Sequence, residues 1–212
     1  MDETFALINM GEYEEALDRF IWFHNNAVDK GITTNPSRLS FGLMYWIDFG
    51  KKYPPAIDAL KRIRDKNTEL ILQGVKTCDL FSEVESINQH LSEEYKTVAL
   101  FTRIDKEQPD LAAQCWAYYQ DLAIKNNEEY FINKYIKDLK HEYDLIEDHY
   151  LSVMKILSKD ASNQRLVAIS KNRYKSDVKD LLNIASKNNN YNATKYIKQK
   201  YYIIAKKYNL DL

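Results

Sequence analysis

The chain has 212 residues, 45% of them apolar and 29% charged, which is enough for a continuous core in one large domain or two small ones. Its two cysteines, Cys78 and Cys115, are too few for the disulfide framework of a small secreted scaffold, and no apolar run approaches the roughly 18 residues that cross a bilayer. The net charge of −1 conceals an asymmetry: residues 1–150 carry 17 Lys/Arg and 27 Asp/Glu, whereas residues 151–212 carry 13 Lys/Arg and four acids. Such a split points to a charged partner or to intramolecular docking.

The first residues, MDETFALINMGEYEE, are acidic and lack the basic start and apolar core of a signal peptide, so the cytoplasm is the expected compartment. Five glycines and four prolines are few, Val is sparse, and no run alternates with period two. The expected class is therefore all-α with short connections.

In chain order, residues 2–10 read as a short helix stopped by Gly11. Glu12–Asn26 is a second, with Tyr13, Ala16, Leu17, Phe20 and Phe23 on one face. A loop rich in Gly, Thr, Asn and Pro leads to a third helix from near Ser37 to Phe49. A fourth runs from Pro54 to Gln73, with proline suited to its first turn and Gly74 as its stop. Thr77–Leu91 carries a stripe of Leu80, Phe81, Val84, Ile87 and Leu91. Ser92 reads as the cap of the next helix, and Asp110 as the cap of Asp110–Asn126. Residues 127–158 read as one long helix or two with a break near His141. Asp160–Asn163 is a turn, Gln164–Asn172 and Tyr174–Ser186 are two helices, Asn188–Asn190 is a loop, and Tyr191–Tyr208 is the last helix.

The turns carry an internal repeat. After Tyr13, apolar residues fall at +3, +4, +7 and +10 (Ala16, Leu17, Phe20, Phe23), and after Tyr53 they fall at the same offsets (Ala56, Ile57, Leu60, Ile63). Tyr95 matches only at the first two, with Val98 and Ala99. The stretch from Gly11 to Phe20 resembles the second helix of a tetratricopeptide repeat, in which a small residue and a Tyr precede an Ala that lets neighbouring helices approach. Residues 38–65 also look like uncharacterised bacterial tetratricopeptide-like proteins. The spacings of 40 and 42 residues exceed the family period of about 34. The resemblance covers residues 5–110. It implies a right-handed α-α superhelix of antiparallel hairpins whose concave face binds peptide or protein. The expectation is one helical-repeat-like domain over 1–212: hairpins in 1–110, long helices in 111–158 and basic helices in 159–212.

Several groups raise chemistry. Arg19 and His24 match the Arg-x4-His spacing of helical ribonucleases of the HEPN type, although Phe20 follows Arg19 where a polar residue belongs; the bland alternative places both on the flanks of an amphipathic helix. His141, Asp144 and Asp148 share a helical face beside His149, but a solvated acidic face explains them equally, and no Glu-x-x-His pair supports a metal. Cys115, among Ala113, Trp116 and Ala117, reads as a buried thiol. No phosphate loop, nucleophile elbow or zinc spacing is present, so no catalytic residue, cofactor or metal is expected. The last helix carries an apolar stripe (Ile197, Tyr201, Ile204, Tyr208) and a second stripe of Lys195, Lys198, Tyr202 and Lys206. Lys interleaved with Tyr suits a phosphate backbone with bases, an acidic protein or the chain's own acidic part, but a final helix that caps the stack with one apolar and one solvated face is the favoured reading. The leading expectation is a non-enzymatic protein-binding module of adaptor, chaperone or toxin-immunity type. Its candidate partner residues are Trp22, Tyr45, Trp46, Lys195, Lys198, Tyr202 and Lys206. Nucleic-acid binding or RNA cleavage is the second, and no membrane role is expected.

Overall fold

The computed structural model describes residues 2–75, 77–159 and 161–210. Its described residues form helices and turns, with no strand among them, and no described helix is long and apolar enough to cross a membrane. Contacts cluster in two units, Met1–Asn127 and Glu128–Leu212.

Unit 1 contains α1 (Asp2–Met10), α2 (Tyr13–Asn26), the single turn α3 (Asn35–Ser37), a π-helical turn (Arg38–Gly42), α4 (Leu43–Lys52), α5 (Pro54–Leu72), α6 (Cys78–His90), α7 (Glu94–Glu107) and α8 (Pro109–Lys125). Sequence neighbours pack together: α1 on α2, α4 on α5, α5 on α6 and α7 on α8. Gly11 and Gly74 end their helices at φ +83 and +96, a backbone region that favours glycine. The N-terminal core gathers Ala16, Phe20, Leu43, Trp46, Phe49, Ala56 and Leu60. Phe20 stacks on Phe49 at 5.5 Å, and Tyr13 lies 5.5 Å from Tyr53. A Cβ on Gly50 would sit 2.2 Å from Ile57 Cδ1, so the Ile57 side chain occupies space that glycine leaves open on α4.

The offsets that follow Tyr13 and Tyr53 are not all kept after Tyr95. Ala16 and Ala56 are fully buried at matching offsets, but Tyr95 and Ala99 are exposed, and α7 buries Thr97, Leu100, Phe101 and Ile104 instead. Ser92 is no cap: it takes φ 57 at the end of α6. Likewise Pro109 opens α8, and Asp110 is an acid in its first turn.

Unit 2 contains α9 (Glu129–Tyr135), α10 (Leu139–Leu157), a 3-10 turn (Ala161–Asn163), α11 (Gln164–Lys187) and α12 (Tyr191–Tyr208). The break expected near His141 lies at residues 136–138, because the Asp138 side chain accepts from the amides of Lys140 and His141 and opens α10. The two helices expected over 164–186 are one, α11. The expected turn begins at Asp160, which lies outside the described residues. Asn190 caps α12 through the Ala193 amide. The core is built on tyrosine: Tyr150 stacks on Tyr174 at 4.3 Å, Tyr174 stacks on Tyr201 at 5.7 Å, and the hydroxyls of Tyr143 and Tyr174 share a 2.7 Å hydrogen bond.

Cys115 is buried as expected but is not a free thiol. It is bonded to Cys78, with Cα atoms 5.2 Å apart, and ties the start of α6 to the middle of α8. Cross-linking residues 37 apart restricts the unfolded chain, typically by about 2–4 kcal/mol. Cys78→Ser should lower the stability of unit 1 by about that amount. In urea denaturation the wild type under reducing conditions should then match the variant, and identical midpoints for oxidised and reduced wild type would refute the bond.

Candidate functional site

His24, at 5% exposure, projects from α2 into a buried polar cluster of unit 1. Its Nε2 lies 3.1 Å from Glu83 Oε1 and 2.9 Å from Arg38 Nη1. This nitrogen donates to the first or accepts from the second, not both. Glu83 also accepts from Asn67 Nδ2 on α5 at 2.6 Å and from Arg38 Nη2 at 2.6 Å. Arg38, in the π turn, donates further to the His24 carbonyl and to Asn35 Oδ1. Burial alone pushes the Glu83 carboxyl up; His24 and Arg38 outweigh it and hold the group at about 2.

A second cluster joins α5, α6 and α7. Arg64 donates to Glu93, to Asn88 Oδ1 at 3.3 Å and to Asp65 Oδ1 at 2.7 Å, and Asn88 donates to Thr97 at 3.0 Å. Lys96, with Arg64 and Lys61, holds the Glu93 carboxyl at about 2 against its burial. Two residues from Glu83, Glu85 behaves oppositely. Burial raises its carboxyl to about 7; the Ser86 hydroxyl opposes that rise, and Asp121 and Glu94 add to it.

The Arg19–His24 pair does not form. Arg19 is half-exposed and pairs with Glu3 at 2.7 Å and Glu15 at 3.5 Å, while His24 is enclosed. The arginine beside His24 is Arg38, which a search for short spacings passes over. Two acids of α10 are also committed: Asp144 accepts from Tyr196 at 2.8 Å, and Lys200 pairs with Glu147 at 2.9 Å. Among the described residues no three metal-type side chains come together.

The aromatic candidates separate. Trp46 is core: it is 1% exposed, its Nε1 donates to the Ala56 carbonyl at 2.9 Å, and it offers no surface to a partner. Trp22 is 46% exposed on the outer side of α2. Tyr45 is exposed and meets Phe5 edge-on at 5.2 Å. Beside it stand Phe41 and Met44, also exposed; neither is among the candidate partner residues, although Phe41 and Tyr45 lie one helical turn apart.

In unit 2, α12 turns Ile197, Tyr201 and Ile204 inward and leaves Lys195, Lys198, Tyr202 and Lys206 exposed, as the two stripes imply. A half-open cavity of ≈ 170 Å³ between α10 and α11 is lined by Ile146, Val153, Ile169, Tyr150 and Tyr174, beside the Arg173–Asp177 ion pair.

No family model matches the chain, and neither a curated protein nor a solved structure matches it.

The two glutamates of α6 set opposite pH slopes. Glu83 ionises at about 2 in the fold against an ordinary 4.5, so its contribution is complete above about pH 4.5 and is lost as pH falls toward 2. Glu85 ionises at about 7, so stability falls as pH rises from 4.5 through 7. Denaturation midpoints across pH should show Glu85→Gln removing the decline on the neutral side. Glu83→Gln should instead cost about 3–5 kcal/mol above pH 4.5, because it leaves Arg38 buried without its counter-charge.

Proposed function

We propose that the chain is a non-enzymatic binding module for a protein partner, with the α1–α5 part of unit 1 built as tetratricopeptide-like hairpins. One observation carries the binding reading. Phe41, Met44 and Tyr45 stand together on the outer side of the π turn and α4, Phe41 at 61% exposure. Side chains of this type are ordinarily core, and aromatic and Met groups gathered on a surface are the composition of interface hot spots. The turn that presents Phe41 also holds Arg38 and Leu39 inward, so the patch rests on a rigid base rather than a loop. The polar clusters support the non-enzymatic part: His24, Arg38 and Glu83 spend their hydrogen bonds on one another.

The hairpin reading is supported by the buried Ala16 and Ala56, each three residues after a tyrosine that packs against the other. The proposal retains the cytoplasm. The Cys78–Cys115 bond weighs against it, since glutathione opposes such bonds there, and alkylation trapping in host cells decides the point.

The binding test is co-purification from host extract with wild type and with Phe41→Ser/Tyr45→Ser. A partner bound through a hot spot should fall at least about ten-fold in the double variant, while its circular-dichroism melting stays within a few degrees of wild type. Equal recovery by a folded variant would remove the patch from the interface.

A further inference from the structure

We infer that the outer face of α12 is a track for single-stranded nucleic acid. This inference concerns unit 2 and stands apart from the protein-binding patch of unit 1. The first observation is charge. The α12 segment Tyr191–Tyr208 holds five lysines and no acid, and among the described residues Lys195, Lys198 and Lys206 have no carboxylate partner. The one lysine of α12 that pairs is Lys200, which faces Glu147 and Asp144 of α10. The fold therefore neutralises the cation turned toward its body and leaves the outer ones open to an anion.

The second observation is the placement of two tyrosines among those lysines. Tyr191 is 79% exposed and Tyr202 is 62% exposed. Each is followed four residues later by an exposed lysine, Lys195 and Lys206, so a tyrosine–lysine pair occurs twice, eleven residues apart. Eleven residues make three helical turns, so both pairs share one face and lie about 16 Å apart. Lys198 sits between them. That distance matches about five stacked nucleotides at roughly 3.4 Å each, or fewer in an extended strand. An exposed aromatic ring is a platform for a base, and a lysine one turn away meets the adjoining phosphate. A duplex hides its bases, which leaves the tyrosines no role there. An acidic protein would be drawn by the lysines alone, and competition by polyglutamate separates that occupant from a single strand.

The third observation is that the face is rigid. Ile197, Tyr201 and Ile204 on the opposite side are buried, and Tyr201 is stacked on Tyr174. The pairs are thus presented at fixed spacing before any ligand arrives.

The test is fluorescence anisotropy of a labelled fifteen-nucleotide oligouridylate with the full chain, across a salt series. Binding should weaken with salt at a log–log slope of about −2, as three phosphate contacts on a single strand require. Lys195→Ala/Lys206→Ala should weaken binding at least about ten-fold and reduce the slope to less than half. Tyr191→Ala/Tyr202→Ala should weaken binding at least about ten-fold and leave the slope unchanged, which charge attraction alone does not predict. All four residues are exposed, so the folds of both variants should hold, with circular dichroism as the check. Absence of binding at low salt would overturn the inference. So would tyrosine variants that bind like wild type, or polyglutamate and duplex RNA that compete as well as the oligouridylate.

Discussion

One carboxylate organises the N-terminal half of unit 1. Glu83 of α6 receives His24 from α2, Arg38 from the π turn and Asn67 from α5. A charge buried this deeply is costly unless every partner is in place, so the positions of these elements are coupled to it. Apolar packing around Phe20, Trp46 and Leu60 tolerates small displacements of the helices; a charge cluster with 2.6 Å contacts does not. The π turn belongs to this constraint. It delivers Arg38 and Leu39 inward, and Phe41 then falls on the outer surface.

Much of the secondary structure was legible in the sequence because the signals that mark it are local. Gly11, Gly74 and Asn188–Asn190 end helices through their own backbone preferences, and the offsets after Tyr13 and Tyr53 report one helical face each. What stayed hidden was non-local. Arg38 and Glu83 are 45 residues apart and His24 and Glu83 are 59 apart, separations that leave no periodic trace. Cys78 and Cys115 meet only because α6 packs on α8. The Arg19–His24 spacing builds no site for a reason visible in helix geometry: five residues rotate about 140° around the axis, which places one in solvent when the other is in the core. Trp46 and Tyr45 could not both serve a partner, because adjacent residues on a helix point in different directions, and Trp46 is the one turned into the core.

The two units handle charge differently. Unit 1 folds two of its cations, Arg38 and Arg64, into its interior, where Glu83 and Glu93 hold them. Unit 2 buries tyrosine instead and keeps most of the α12 lysines outside. Arg38 and Arg64 thus fasten segments of unit 1 together, whereas the outer lysines of α12 form a surface.

The distribution of aromatic residues makes the two units separately visible to light. Trp22, Trp46 and Trp116, all the tryptophan in the chain, lie in unit 1, and unit 2 carries the stacked tyrosines. Red-edge excitation thus addresses unit 1 alone, through one solvated indole (Trp22) and two enclosed ones. Unit 2 answers in the near-ultraviolet circular dichroism of coupled phenol rings. The unfolding of each half can accordingly be followed in the intact, unlabelled chain, and a ligand that touches only one of them should betray which.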